Sequence, residues 1–211
     1  MQKTRMKAVL LVALALAAPV LLAQEIEPNA LLQSATLEVI AAIKQERSLH
    51  GGAARQVASV VDTKVLPLFD FSHMTRIAVA RNWRVATPVQ QAALTAAFRI
   101  LLVRTYSAAL SDYRDQVIDF RSMHPAAGDT EVTVKSVVKQ SGTAPIAMDY
   151  DMEKTAAGWK VFDIKVEGIS LVTNYRDSFA EKIRDGGVDG LIKALEEKNR
   201  QGDARSGAPK S

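Results

Sequence analysis

The chain has 211 residues, of which 48% are hydrophobic and 24% charged, and this composition suits one globular domain with a sizeable core. It contains no cysteine, which excludes a disulfide and a lipid-modified thiol. Three of its 27 basic residues lie near the N-terminus, at Lys3, Arg5 and Lys7, and without them 24 basic residues stand against 23 acidic ones. Such a nearly neutral chain gives no support for nucleic-acid binding, which needs clustered positive charge.

The N-terminal segment has the pattern of a secretory signal peptide. Its basic residues precede an apolar run from Ala8 to Leu22, and the small residue Ala23 then stands before polar Gln24. An uncleaved anchor is the alternative, but the run is shorter than the roughly 20 residues that span a bilayer. We therefore expect residues 1–23 to be removed, residues 24–200 to form a single domain, and residues 201–211 to be a polar, disordered tail.

Helical periodicity dominates the first half of the remaining chain. Pro28 and Asn29 can open a helix that Gly51-Gly52 interrupts, and a second helical pattern stops at Leu66-Pro67. A short helix is predicted from Asp70 to Asn82. The sequence Thr87-Pro88-Val89-Gln90 is a capping box, so a long helix should begin there, about 35 to 40 Å in length.

From Gln116 onward the apolar residues alternate with polar ones, which predicts strands. Turn signals at residues 125–128, 141–142 and 156–158 separate four of them. They would form an antiparallel meander with one wet face and one apolar face, which the long helix could cover. Along the fourth strand, Phe162, Ile164 and Val166 are predicted to share the apolar face.

At Gly168 the apolar period changes from two residues to the helical spacing. Ser170 can cap a helix that carries Val172, Tyr175 and Phe179 on one side, and a last helix follows Gly186-Gly187. The predicted fold is therefore α+β, a four-stranded antiparallel curved sheet packed with N-terminal, long central and C-terminal helices.

Motifs spread over most of the chain resemble a known family. They are Asp70-Phe71, Trp83, Thr87-Pro88 with Gln90-Gln91, Phe98 with Leu101, Leu102, Tyr106 and Leu110, Trp159 to Asp163, Val166 to Leu171, and Gly187 to Leu191. Their order and spacing are similar to the MlaC family, the periplasmic phospholipid-binding component of the maintenance-of-lipid-asymmetry pathway, also called the toluene-tolerance family. One departure is Ala80, which stands where the family has a small glycine.

The resemblance implies a nuclear-transport-factor-like sheet around an apolar cavity for phospholipid acyl chains. It implies a monomeric periplasmic carrier that is not an enzyme, has no cofactor besides its lipid cargo, and moves between an outer-membrane lipoprotein–porin complex and an inner-membrane ATP-driven transporter. The residues predicted to contact lipid are Phe98, Leu102, Tyr106, Ile118, Phe120, Val132, Val134, Ile146, Met148, Tyr150, Phe162, Ile164, Val166 and Leu171.

Two other classes of function stay open from the sequence. An enzyme of the same sheet architecture would need a buried Asp or His beside a Tyr, and the predicted inward positions carry no acidic residue or histidine. An exported adaptor would instead have a solid core and an exposed apolar patch. The three histidines, His50, His73 and His124, lack the spacing of metal ligands. Arg99, Arg104 and Arg114, predicted to lie on the long helix, could meet a lipid phosphate, although a solvated polar face is the commoner explanation for helix arginines.

Overall fold

The computed structural model of the protein describes residues 26–48, 58–111 and 113–206. The predicted signal peptide, the helix break at Gly51-Gly52 and the end of the predicted tail lie outside these ranges. The α-helices are α1 (Pro28–Ser48), α2 (Phe71–Val79), α3 (Pro88–Ser111) and α4 (Arg176–Ser206). A π-helical turn, Val61–Val65, a 3-10 turn, Leu66–Leu68, and a second 3-10 turn, Ala80–Arg84, link the first three.

Local capping fixes where two of these helices begin. The Asp70 carboxylate accepts a hydrogen bond from the His73 N–H at 2.7 Å, so α2 starts directly after Asp70. The capping box at α3 is confirmed, because the Thr87 N–H donates to Gln90 Oε1 at 2.9 Å and the Gln90 N–H donates to Thr87 Oγ1 at 3.2 Å. The 24 residues of α3 correspond to about 36 Å.

The sheet is antiparallel and has five strands rather than the four predicted. In spatial order they are β1 (Val117–Phe120), β2 (Glu131–Lys139), β3 (Ile146–Thr155), β4 (Gly158–Val166) and β5 (Ile169–Ser170). The short β5 pairs with the end of β4 across a tight turn, whose residues Glu167 and Gly168 both have positive φ, 49° and 79°. Two positive φ angles suit a two-residue hairpin, so Gly168 turns the chain back on the sheet before any helix begins.

The helix that follows starts later than the sequence predicts. Ser170 Oγ accepts from the Thr173 N–H at 2.9 Å, so it caps the 3-10 turn Thr173–Tyr175 rather than an α-helix. Helix α4 begins at Arg176, breaks at Gly187, where φ is 67°, and continues to Ser206 through the first part of the predicted tail. The break lets the two halves of α4 take different directions.

A β-bulge in β4 changes which of its side chains share a face. Val161 pairs with Met152 and Asp163 pairs with Asp151, so three residues on β4 span two on β3. The Phe162 ring lies 4.5 Å from the His73 ring, on the opposite face of the sheet from Ile164. The predicted common face of Phe162, Ile164 and Val166 is therefore wrong for Phe162, because strict alternation stops at the bulge.

The core consists of two clusters. In the helical cluster α2, α3 and α4 pack together around Phe98, which is fully buried. In the sheet cluster, Leu31 and Leu32 of α1 pack on Trp159 and neighbouring apolar residues of the sheet. The helix against the apolar face of the sheet is thus α1 and not the long helix α3, whose buried residues belong to the helical cluster.

Ala80 has a backbone conformation that normally requires glycine. It ends α2 with φ 53° and ψ −130°, a region that costs a non-glycine residue about 1–3 kcal/mol. We expect Ala80→Gly to raise the free energy of unfolding by about 1 kcal/mol and the midpoint of thermal unfolding by about 2–4 °C, measured by circular dichroism. Ala78→Gly in the middle of α2 is the control and should destabilise. A lower melting temperature for Ala80→Gly would contradict this account.

Candidate functional site

The apolar face of the sheet is built from four cross-strand rows, because residues directly opposite each other in an antiparallel pair share a face. In order along the strands, the rows are Ile118, Val138 and Ile146; Phe120, Ser136, Met148, Val166 and Ile169; Val134, Tyr150 and Ile164; and Val132, Met152 and Val161. The backbone N–H of Leu171 donates to the Ile164 carbonyl at 2.8 Å and continues the third row. Nine of the predicted lipid contacts lie in these rows, and Leu171 is next to them.

Exposure divides this face into two ends. Val134, Met152 and Val161 are fully buried in the sheet cluster beneath α1. At the other end, Ile146 is 44% exposed and Ile169 is 64% exposed. These two exposed residues and the half-buried residues beside them form what we call the open apolar end. It consists of Ile118, Phe120, Val138, Ile146, Met148, Val166 and Ile169. This end of an otherwise core-facing surface is available to an apolar ligand.

A small polar group lies at the boundary of the open apolar end. Ser136 is buried and its hydroxyl donates to the Met148 carbonyl at 3.1 Å. The Tyr150 hydroxyl lies 3.9 Å from Met148 Sδ, and the Tyr150 ring is 6.0 Å from that of Phe120. Burial raises the pKa of the Tyr150 phenol, so this hydroxyl keeps its proton and can donate a hydrogen bond. The boundary therefore combines an apolar wall with one phenol tip.

The candidates from the long helix lie in the other cluster. Phe98 and Leu102 are buried among α2, α3 and α4, and Tyr106 packs against the same residues. Burial, followed by the neighbouring Tyr175, raises the pKa of Tyr106 to about 12. The structure brings the sheet candidates together and places these three helix candidates in the helical cluster, so the predicted set forms two groups rather than one.

Asp163 is an acidic residue of β4 whose side chain is buried. It lies opposite Asp151 on the face away from the open apolar end, and it is only 4% exposed. Its Oδ1 accepts from the Val172 N–H at 3.3 Å. Burial raises the pKa of this carboxyl, although hydrogen bonds from Ser170 and Val172 oppose the effect. Asp163 ties β4 to the segment after β5, and no sequence signal marks it apart from the apolar residues on each side.

The face opposite the open apolar end is not fully wet, contrary to the sequence prediction. His73 of α2 pairs with Glu153 at 2.6 Å, and both side chains are less than a quarter exposed. Asp151 accepts from Thr133 at 2.7 Å and pairs with Lys165 at 2.6 Å. Helix α2 therefore covers part of the polar face through the hydrogen bond between His73 and Glu153 and the ring contact with Phe162.

The arginines considered as phosphate ligands have protein contacts. Arg99 lies over the Phe71 ring, 5.5 Å from its centroid. Arg104 donates to the Asn199 carbonyl of α4, and Arg114 donates to the Tyr113 carbonyl at 3.1 Å. Among residues 26–48, 58–111 and 113–206, no group of three or more His, Asp or Glu is arranged to hold a metal ion, and no helix is long and apolar enough to cross a membrane.

A small cavity of about 180 Å³ lies at the far end of the sheet, next to Trp159 and the turn of residues 125–129. Its lining also includes Ile26 and Lys154. The volume is below the roughly 300–1,000 Å³ of pockets that hold drug-sized ligands. The open apolar end, and not this cavity, is therefore the candidate site for a large apolar ligand.

An antiparallel sheet that is packed with helices and has one open apolar end is suited to bind a hydrophobic ligand. Proteins similar to this chain include one of that class. A phospholipid-binding protein from Ralstonia solanacearum, solved in complex with a phospholipid, is 40% identical with a TM-score of 0.74, over 84% of this chain and 99% of that one. The toluene tolerance protein ttg2D of Pseudomonas putida is 27% identical over 85% of this chain and 83% of its own length.

The intermembrane phospholipid transport system binding protein MlaC of Haemophilus influenzae is 20% identical, over 84% of each chain. The model of the MlaC protein family matches residues 33–197. The protein belongs to the MlaC family, as the motifs from Asp70 to Leu191 indicated.

Proposed function

We propose that this protein is a periplasmic carrier that binds phospholipid acyl chains against the open apolar end and moves them between the two membranes. The observation that carries the proposal is the graded burial of the sheet face, fully packed at Val134 and Val161 but 44% exposed at Ile146. The phospholipid in the Ralstonia relative supports it, since that protein has the same fold at 40% identity.

The energetics of acyl chains explain why a carrier needs such a surface. Moving a chain of roughly 16 carbons into water costs on the order of 12 kcal/mol, at about 0.8 kcal/mol per methylene. A carrier must shield most of the acyl-chain surface from water. We therefore propose that the sheet curves as in a nuclear-transport-factor-like fold and encloses an apolar cavity for the chains. The nine sheet candidates would contact the chains first, with Leu171 beside them and Tyr150 at the polar boundary.

We also propose that the protein is exported and exchanges lipid with a complex in each membrane. Export by the signal peptide of residues 1–23 would deliver residues 24–200 to the periplasm as a single lipid-binding domain. The carrier would dock in turn on an outer-membrane lipoprotein–porin complex and on an inner-membrane ATP-driven transporter. As a monomeric carrier it needs no cofactor and no chemical step, and Asp163 has a structural task that requires no substrate.

Native mass spectrometry of the purified mature protein tests the carrier function, followed by solvent extraction and lipid analysis. We expect a single diacyl phospholipid per protein, which organic solvent removes and phospholipid vesicles restore. The stripped protein provides the matched control for non-specific adducts. A lipid-free mass that stays unchanged after incubation with vesicles would overturn the proposal and favour the adaptor or the enzyme.

A further inference from the structure

The turn between α2 and α3 carries the two most exposed large apolar side chains in the part of the chain that the structure describes. Val85 is 74% exposed and Val89 is 79% exposed. Val85 follows the 3-10 turn Ala80–Arg84 and Val89 lies in the first turn of α3, so the two valines are neighbours on one bend. The two valines form a small apolar patch, which needs a second feature beside it to indicate a contact surface.

The segment that carries these valines also carries several arginines. The segment from Phe71 to Ser111 contains five arginines and no aspartate or glutamate. Three of them, Arg76, Arg81 and Arg84, are exposed on α2 and the 3-10 turn. Within the described residues, none of these three guanidinium groups lies within ion-pair distance of a carboxylate. We call Arg76, Arg81, Arg84, Val85 and Val89 the Arg–Val elbow.

Helix α4 adds charges of both signs beside this surface. Arg176 of α4 donates from Nε to the Ile77 carbonyl at 2.9 Å, which adds a fourth cation at the end of α2. Beside Val89, the carboxylate of Asp189 accepts from the Gln90 amide at 2.7 Å. Helix α4 also carries exposed Asp177, Glu181 and Asp185, but within the described residues none of these carboxylates lies within ion-pair distance of the guanidinium groups on α2 and the 3-10 turn, which stay available to an anionic partner.

We propose that the Arg–Val elbow contacts the anionic surface of a phospholipid bilayer. Guanidinium groups pair with lipid phosphates in two-bond geometry, and aliphatic side chains enter the boundary between headgroups and acyl chains. A turn between helices presents its side chains outward and offers no groove for a peptide. Its aromatic residue, Trp83, packs into the helical cluster instead of projecting as an anchor for a protein partner. The proposal goes beyond lipid carriage, because it concerns the bilayer and not the bound lipid.

Vesicle sedimentation of the full mature protein tests this surface. We expect binding to vesicles of phosphatidylglycerol and phosphatidylcholine, weak binding to phosphatidylcholine alone, and loss of binding at about 1 M salt, where the screening length falls to about 3 Å. The variant Arg81→Gln/Arg84→Gln should lower the partition coefficient about 25-fold, since each basic residue near an anionic bilayer contributes about fivefold. Val85→Ser/Val89→Ser should lower it about tenfold.

Matched controls come from exposed residues elsewhere. Leu37→Ser removes a side chain that is 60% exposed on α1, and Arg200→Gln removes an exposed cation near the far end of α4. Both should bind vesicles like the wild type, and all variants should keep their phospholipid in native mass spectrometry. That second readout separates failure of this proposal from failure of the carrier function.

Three results would overturn the membrane contact. One is a wild-type protein that binds anionic and neutral vesicles equally, or binds neither. The second is an elbow variant that binds anionic vesicles as tightly as the controls do. Salt-sensitive binding of the elbow to polyglutamate, without binding to vesicles, would also overturn the proposal and would assign the surface to an acidic protein partner.

Discussion

Replacing Met148 or Ile146 by glutamate is expected to remove the co-purified phospholipid and leave the fold intact. Both residues lie at the open apolar end, where Met148 is half-buried and Ile146 is 44% exposed. A carboxylate there remains hydrated in the lipid-free protein but loses its water when an acyl chain covers it. Burying a polar group without a partner costs about 2–7 kcal/mol, so phospholipid occupancy should fall at least about tenfold.

Val117→Glu is the matched control for this experiment. Val117 is 56% exposed and pairs with Lys139 on the other face of the sheet, one residue from Ile118. The control introduces the same charge into the same sheet and should retain its lipid. Native mass spectrometry measures the occupancy, and circular dichroism shows whether the variants stay folded. Normal occupancy in folded Met148→Glu and Ile146→Glu would mean that lipid binds elsewhere.

Features set by neighbouring residues could be predicted from the sequence. The capping box at Thr87 and Gln90 depends on residues three apart, and the structure has both of its hydrogen bonds. Alternation also identified β2 and β3, where pairing continues without interruption from Glu131 to Val138. Because two-residue alternation fixes the face of each side chain, most sheet candidates lie together as predicted.

Features set by tertiary contacts could not be predicted in this way. The bulge opposite Asp151 and Met152 puts Phe162 on the other face, and a bulge leaves no mark in the alternation of residue types. The cover of the apolar face comes from α1, since amphipathic patterns show that a helix has an apolar side but not which surface it meets. The burial of Asp163 also depends on a tertiary contact, because the hairpin between β4 and β5 brings the Val172 N–H to its carboxylate.

Phe98→Ala is expected to lower the free energy of unfolding by about 3–5 kcal/mol, the range for removing a large buried aromatic side chain. Phe98 is fully buried and makes edge contacts with Tyr175 and Phe179, each with ring centroids 5.1 Å apart. Phe98 joins α3 to α4 and to the 3-10 turn that precedes α4. The cavity left by alanine would therefore loosen the packing of all three elements. Urea unfolding measures the change, which should appear in the midpoint with an unchanged slope.

Ile100→Ala supplies the control on the same helix. Ile100 is 48% exposed, so its truncation should alter the free energy of unfolding by no more than about 0.5 kcal/mol. Lipid occupancy of folded Phe98→Ala separates the two tasks that this residue could have. If Phe98 only supports the helical cluster, the folded variant keeps its phospholipid in spite of the lower stability. A variant as stable as the wild type but free of lipid would instead make Phe98 a lipid contact and would contradict its placement as a closed core residue.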